Sequence, residues 1–375
     1  MNQQASPPDI AVFLYEPGDG GLDRVAILLA NGFAASGLVT EIWLTRADGL
    51  SRFLIADTVR IRIVPAPGLK ARGLALALQI PALAKMIRKH QPKIILSAGN
   101  QSNLPIAIAT RWAKTGATAA IQKITNPVAR PGARGLMQRL RIWRFGKTAQ
   151  LGDLTLVLGD ADARDYAARY PKAAAKFVMV HNPYVTSAMI EVGDRRIVRN
   201  NGTHFQILTV ARLGVQKDQA TLLNALALIK QRNWHLQLVG DGPLRDALEN
   251  QAALLGLIEK VSFAGFIADP LPYYAAADLL VLSSAWEGLP AVPIEALAAG
   301  CGLVSTDCAP NLTALMLSAS LPPPVPIGDA EALAKAITEA MDSPPDLAKA
   351  RTIAKRYSIN ASVEDHLRLF APWLG

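Results

Sequence analysis

Short apolar runs alternate with stretches of helical period along almost the whole chain, and this rhythm constrains the fold more than any other feature. Ile10–Tyr15, Ile42–Leu44, Ile61–Val64, Ile94–Ser97, Thr118–Ile121, Leu154–Leu158 and Phe177–Val180 read as strands. Helical patterns fall between them, as over 22–36, 74–90 and 104–114. Strands that alternate with helices imply βαβ units and a mainly parallel sheet. The rhythm restarts with Phe205–Val210, Leu236–Val239, Val261–Phe263, Leu279–Leu282 and Leu303–Ser305. A chain of 375 residues has room for two cores. The expected architecture is therefore two Rossmann-like, doubly wound α/β domains, 1–190 and 191–356, followed by a terminal helical segment, 357–375. Asn and Gly punctuation between Asn182-Pro183 and Asn201-Gly202 marks the junction. Ligands of such sheets sit outside the carboxyl ends of the strands, so a cleft between the two domains is expected.

Charge divides along the same line. The formal net charge is +9, but residues 1–190 carry 24 basic and 11 acidic groups, against 15 and 19 in the rest. Between Asp57 and Asp153 there is no acidic residue, while those 95 positions hold 17 Lys and Arg. A polycationic half suggests an anionic partner: nucleic acid, a membrane surface or a phosphorylated ligand. Hydrophobic residues at 51% and charged residues at 18% exclude a disordered or fibrous chain. Cys301 and Cys308 form no disulfide framework and no common metal spacing, and read as core thiols of a reducing compartment. The apolar run from Gly73 to Ala84 is broken by Gln79 and Pro81, and the first residues carry no positive n-region. A cytoplasmic protein is expected, peripheral on the inner face of the plasma membrane.

Four features of the second half lie at strand ends. Arg212 and Lys217 share the loop after one strand, and two cations there suit a diphosphate; the alternative is a solvated loop pair. Gly240-Asp241-Gly242-Pro243 joins a strand to a helix with glycines that permit close backbone approach to a ligand, a junction common in α/β proteins. In Glu287-Gly288-Leu289-Pro290 the free N–H groups of a helix start flank a carboxylate, and Glu295 follows on that helix among apolar residues. Carboxylates are acceptors for vicinal sugar hydroxyls, and one in an apolar setting needs a partner. Gly265-Phe266 could border a flat base or belong to core packing.

In register, these residues resemble the retaining GT-B glycosyltransferases of the GT4 type, the glycosyl transferases group 1 family. The family pattern is Arg-Leu then Lys, Gly-x-Gly-Pro before a helix, Gly-Phe, and Glu-Gly-x-Pro with a second Glu after seven intervening residues. All stand here in order, from Arg212-Leu213 to Glu295, and Gly20-Gly21 and Val180-His181-Asn182-Pro183 extend the likeness into the first half. The resemblance implies a GT-B fold whose terminal helix crosses back to the first domain. It implies transfer of a hexose from a nucleotide diphosphate sugar, UDP favoured over GDP, to a hydroxyl with retention. Arg212 and Lys217 would then neutralise the diphosphate, Glu295 would hold the ribose, and Glu287 with Gly288 and Leu289 would orient the sugar. Gly265, Phe266 and Gly240 would border the donor, and Gly20 and Gly21 would approach its phosphate or the acceptor. No metal or other cofactor is implied. The His that many relatives carry in the first domain is absent; Lys123, Thr125 and Asn126 stand in its region, and Lys123 and Asn126 are the catalytic candidates beside Glu287.

The segment 130–147 interleaves Leu136, Leu140, Trp143 and Phe145 with Arg134, Arg139, Arg141, Arg144 and Lys147. Such a basic amphipathic helix suits an anionic membrane interface; the alternative is an ordinary helix that buries its apolar face. With the acid-free stretch, it points to a lipid-linked or glycolipid acceptor in cell-surface polysaccharide or glycolipid synthesis. A nucleotide-sugar 2-epimerase on the same scaffold would need no lipid surface. A nucleic-acid-binding protein would leave Glu287 and Glu295 unexplained and lacks the recognised motifs, so no nucleic-acid partner is expected. No strand leads into Gly-x-Gly-x-x-Gly, which argues against a dinucleotide oxidoreductase.

Overall fold

The computed structural model describes residues 6–18, 20–69, 71–125, 128, 135–196 and 204–375. The chain forms two compact units, residues 1–183 with 359–375, and residues 184–358. The division falls at Pro183/Tyr184 rather than at 190, and the terminal helix Ile359–Leu374 belongs to the first unit.

The first unit is built on seven parallel strands: β1 (Ile10–Leu14), β2 (Thr40–Leu44), β3 (Arg60–Ile63), β4 (Ile94–Ser97), β5 (Ala119–Lys123), β6 (Leu154–Val157) and β7 (Phe177–Met179). Their order is β3-β2-β1-β4-β5-β6-β7. Every residue of β1 and β4 is buried, as expected of central strands covered by helices on both faces. β3 is the edge, and its Arg60 and Arg62 blunt it against further pairing. Arg62 also holds the fully buried Glu41 through two hydrogen bonds, and Trp43 donates a third at 2.8 Å.

The helix Ile359–Leu374 closes this unit. It packs on the helix Gly21–Ala35, where a Cβ at Gly32 would overlap the Val363 side chain. Phe33, His366 and Phe370 form a ring cluster with centroids 5.8–6.1 Å apart, all without exposure. Asp365 pairs with His181 at 2.7 Å, and Ser362 donates to the His181 carbonyl.

The second unit has five parallel strands: β8 (Phe205–Val210), β9 (Trp234–Val239), β10 (Val261–Gly265), β11 (Leu279–Leu282) and β12 (Gly302–Ser305), in the order β10-β9-β8-β11-β12. Its core gathers Trp234, Leu222, Leu226, Leu333 and Ile337 around the sheet. Each sheet reverses its strand order once, between β1 and β4 in the first unit and between β8 and β11 in the second. Helices diverge to opposite faces at such a point and leave a crevice at the carboxyl ends of the two strands.

Among the described residues no helix is long and apolar enough to cross a membrane.

Candidate active site

The loops that leave β8 and β11 meet at the reversal point of the second sheet. Lys217 comes from the first loop and Glu287 from the second, and Lys217 Nζ lies 2.5 Å from Glu287 Oε1. Ser284 Oγ donates to the same oxygen at 2.8 Å, and Gln216 Nε2 reaches Oε2 at 3.3 Å. Backbone bonds hold the frame: Ala285 N donates to the Gln216 carbonyl and Glu287 N to that of Cys308, each at 2.8 Å. Ser283 Oγ donates to the Lys217 carbonyl at 2.9 Å. Glu287 is thus a buried carboxylate with three polar side chains donating to it, so its oxygens are satisfied without solvent. Cys308 lies beneath this loop, and burial pushes its thiol up to about 11, so it is no nucleophile at neutral pH.

Glu295 sits on the helix Ala291–Ala298, which has no side-chain N-cap; Gly288 and Leu289 precede it. Glu295 is only 6% exposed, and the partner its setting demands is the fully buried Tyr274, whose hydroxyl donates to Oε2 at 2.7 Å. Leu289 is fixed by the Tyr184 hydroxyl, which donates to its carbonyl at 3.0 Å. Arg212 is exposed, and its carbonyl accepts from Gln219 Nε2 at 3.1 Å. Phe266 is 56% exposed beyond the end of β10, so it lies outside the core packing that was one reading of it. Gly265 has φ +72°, a left-handed turn that releases the chain from the strand.

The glycine junction is explained differently from expectation. A Cβ at Gly240 would overlap the carbonyl oxygen of Ala211, and one at Gly242 would overlap that of Leu213. Leu213 N donates to the Asp241 carbonyl at 2.9 Å, and Gly240 N donates to that of Gly265 at 2.8 Å. The close approach at Gly240 is therefore to the chain's own backbone, which locks the loop carrying Arg212 and Lys217.

The first unit corrects two expectations. Lys123, a catalytic candidate, is 1% exposed, and its Nζ lies 3.0 Å from His366 Nε2. Its amine points into the layer under the helix Ile359–Leu374. Burial lowers its pKa to about 7 and holds that of His366 well below the usual imidazole value. The His366 Nδ1 lies 2.7 Å from the Ser362 carbonyl and must be the protonated nitrogen, so Nε2 accepts from Lys123. Phe145 also turns inward, in an aromatic cluster with Tyr166 and Tyr170 at 5.2 Å from each. Asn126 and Arg134 lie outside the described residues.

Gly20 precedes the helix Gly21–Ala35 and accepts from Asp23 N and Arg24 N. A Cβ at Gly21 would meet nothing within 4 Å, so the loop is open there. On the helix Leu136–Leu151, Leu136, Leu140 and Trp143 follow helical spacing and are 80%, 51% and 60% exposed. Arg139, Arg144 and Lys147 are exposed and Arg141 half-buried on the same helix.

The sequence itself matches two family models, "Glycosyltransferase Family 4" over residues 19–188 and "Glycosyl transferases group 1" over residues 193–357. The chain belongs to the GT4-type GT-B glycosyltransferases. Among curated proteins it is similar to an uncharacterized glycosyltransferase of Methanocaldococcus jannaschii, 23% identical over 60% of this chain and 58% of that protein. It is 36% identical to the lipopolysaccharide core biosynthesis glycosyltransferase LpsE of Rhizobium meliloti, over 36% of this chain and 38% of LpsE. The first such relatives are thus matched over less than two thirds of their length. Two solved structures share the GT-B fold of this glycosyltransferase. HepE of Anabaena, solved with UDP and glucose, aligns with a TM-score of 0.74 at 20% identity, covering 96% of this chain and 99% of HepE. WaaG, a glycosyltransferase of lipopolysaccharide biosynthesis, aligns at 0.71 and 18% identity, covering 96% and 99%.

Tyr274, Ser284 and Gln216 were not legible as site residues. Ser284 stands three positions before Glu287, a spacing that could have flagged it. Tyr274 lies 21 positions from Glu295, and only the packing of the helix Leu271–Ala276 joins them.

Proposed function

We propose that this protein transfers a hexosyl group from a nucleotide diphosphate sugar, UDP before GDP, to a hydroxyl of a lipid-linked or saccharide acceptor, with retention. The observation that carries this reading is the buried carboxylate pair at the reversal of the second sheet, Glu287 bound by Lys217 and Glu295 bound by Tyr274. In the reaction the bond from the sugar's C1 to the diphosphate breaks and a bond from C1 to the acceptor oxygen forms. Charge accumulates on the leaving diphosphate. Lys217 and Arg212, with the uncapped start of the helix Ala291–Ala298 that follows Gly288 and Leu289, supply the positive field that stabilises it, without a metal or other cofactor. Glu287 accepts from hydroxyls of the donor sugar and Glu295 from those of the ribose. Fixed charges in a protected crevice need no reorganisation as the reaction proceeds, which is where their rate advantage lies.

The acceptor side rests on the first unit. LpsE is named for lipopolysaccharide core synthesis, and a Campylobacter jejuni relative, 33% identical over 42% of this chain and 42% of that protein, is named as an N-acetyl-galactosaminyltransferase for a PP-undecaprenol glycan. Those names support a lipid-linked acceptor, and the exposed stripe Leu136, Leu140 and Trp143 flanked by Arg139, Arg144 and Lys147 supports action at an anionic membrane surface, which we take to be the inner face of the plasma membrane.

The test is a transfer assay with UDP- and GDP-hexoses, with and without a polyprenyl-diphosphate sugar, in the presence of EDTA. Acceptor-dependent release of the nucleoside diphosphate is expected, with product of retained anomeric configuration. Turnover of donor without acceptor would favour the epimerase, and loss of all turnover in EDTA would overturn the metal-free reading.

A further inference from the structure

Glu295 and Tyr274 stand on different helices, Ala291–Ala298 and Leu271–Ala276, so the bond between them is only as fixed as the seating of one helix against the other. The helix Leu271–Ala276 has six residues and no side-chain cap. A helix that short has little stability of its own, and contacts from outside set its place. Arg196 supplies such contacts, from a part of the chain to which the donor chemistry assigns nothing.

Arg196 follows the helix Ser187–Arg195, and its place depends on a close approach of backbones. A Cβ at Gly193 would overlap the carbonyl oxygen of Ala298, the last residue of the helix Ala291–Ala298. Arg351 fixes the same turn, its Nη1 donating to the Gly193 carbonyl at 2.5 Å. The Arg196 side chain then passes directly beside Gly300, where a Cβ would overlap its Cδ, and reaches the carboxyl ends of both helices.

The guanidinium binds both ends at once. Its Nη1 donates to the Tyr274 carbonyl at 3.2 Å and to the Ala299 carbonyl at 3.4 Å. Its Nη2 donates to the Ala277 carbonyl and lies 3.6 Å from Asp278 Oδ1. Asp278 is itself set by the first residues of β8, where Gln206 N donates to its Oδ2 at 2.8 Å. A cation that is only 16% exposed thus meets two helix ends where the dipole is negative. The planar guanidinium has five donors in fixed directions, so it sets an angle as well as a distance.

Both sides of the Tyr274–Glu295 bond lead to this one side chain. Tyr274 gives its hydroxyl hydrogen to Glu295 and accepts from Arg196 at its carbonyl. The Glu295 carbonyl accepts from Ala299 N at 3.0 Å, and the Ala299 carbonyl accepts from Arg196. Arg196, Tyr274, Glu295 and Ala299 close a ring of hydrogen bonds.

We infer that Arg196 is a positioning residue for Glu295: through Tyr274 and Ala299 it holds the carboxylate where the ribose hydroxyls of the donor can reach it. This rests on the reading of Glu295 as the acceptor for those hydroxyls. Arg196 then acts on ribose recognition without touching the nucleotide.

Titration calorimetry on the full chain tests this by comparing UDP, or GDP if that is the base the protein binds, with the 2′,3′-dideoxy analogue that lacks the ribose hydroxyls. The parent should bind the full nucleotide about tenfold or more tighter than the analogue. Arg196→Ala and Arg196→Lys should each lower that ratio about fivefold or more, by weakening the full nucleotide while the analogue stays within about twofold. Arg196→Lys keeps the charge beside Asp278 and carries the test should the alanine variant not fold. Ile337→Ala, in the core of the same unit, should lower the melting temperature and keep the parent ratio. Added to Tyr274→Phe, Arg196→Lys should change the ratio little beyond the larger single loss, because both act through one bond. A parent-like ratio in Arg196→Lys, or equal loss of both ligands, would leave Arg196 a purely structural residue and overturn the inference. A parent that does not distinguish the two ligands, or binds none of them, would instead remove the ribose reading of Glu295, and the inference with it.

Discussion

Lys217 and Glu287 share a 2.5 Å contact that ties the loop after β8 to the loop after β11. The two residues have separate tasks in the proposed reaction, one for diphosphate and one for sugar hydroxyls, but in this structure each sets the other's position. Their side chains are 24% and 9% exposed, so water screens the pair only in part. A diphosphate that draws on the ammonium must share it with the carboxylate.

Coupling of this kind is measurable. Lys217→Ala and Glu287→Gln are each expected to lower kcat/KM by about a hundredfold or more, as loss of a preorganised charge does. The double variant should be little worse than the more damaging single one, because residues in one network are not additive. Fully multiplicative losses in a double-mutant cycle would show that the two act independently.

Glu295 and Tyr274 give a graded pair of variants. Glu295→Gln should cut donor affinity strongly, since an amide presents an N–H where the carboxylate presents a second acceptor. Tyr274→Phe removes the 2.7 Å bond to the buried carboxylate and should cost about 1–3 kcal/mol of stability, with a smaller loss of donor affinity. Calorimetric titration with UDP and denaturant melts separate the two effects.

Gly240 has φ +133° and no room for a Cβ beside the Ala211 carbonyl. Gly240→Ala is expected to destabilise the second unit by roughly 2 kcal/mol or more, through both backbone strain and overlap. A melting temperature within a degree of the parent would contradict that account of the glycine.

The buried Lys123–His366 pair makes stability depend on pH. Folding lowers the Lys123 pKa from 10.5 to about 7, so between those values the unfolded chain binds more protons. Stability should therefore rise with pH across that window, by at most roughly 1.4 kcal/mol per unit for this one group. His366, held well below 6.5 in the folded state, adds a further loss of stability as pH falls below that value. Lys123→Met should flatten the rise between pH 7 and 10 in urea melts. A parallel slope in parent and variant would remove Lys123 as its source.

Trp143 and Leu136 are exposed on a helix with basic neighbours. Leu136→Ser/Trp143→Ser should reduce flotation with anionic liposomes at low salt while leaving transfer to a soluble acceptor intact. Binding of the parent should weaken as salt screens the basic side chains. No binding of the parent to any anionic vesicle would end the membrane reading.

The twelve strands among the described residues were visible as apolar runs: central β1 leaves an unbroken hydrophobic signature because both its faces are buried, while the edge strand β3 shows only as Ile61 and Ile63 alternating with Arg60 and Arg62. Their order was not, since periodicity carries no information on which strands pair. Arg212, Lys217, Glu287 and Glu295 were visible because a local motif holds them in sequence. Tyr274 as the partner of Glu295, and His366 as the partner of Lys123 across 243 positions, were invisible for the opposite reason. Lys123 misled because a lysine near a strand end reads as solvent-facing unless one knows what packs over it. The acid-free stretch also promised more free charge than the fold leaves: Arg62, Lys93 and Arg111 pair with Glu41, Asp9 and Asp153 from outside it.

The helix Ile359–Leu374 belongs to the first unit although it follows the second in the chain. A ribosome therefore makes all of residues 184–358 before Phe33 can meet His366 and Phe370. During synthesis the second unit can finish its core while the first still lacks one covering helix. Until then Gly32, Phe33 and Lys123 lack the cover that Val363, His366 and Phe370 give them, and that apolar surface stays open to water.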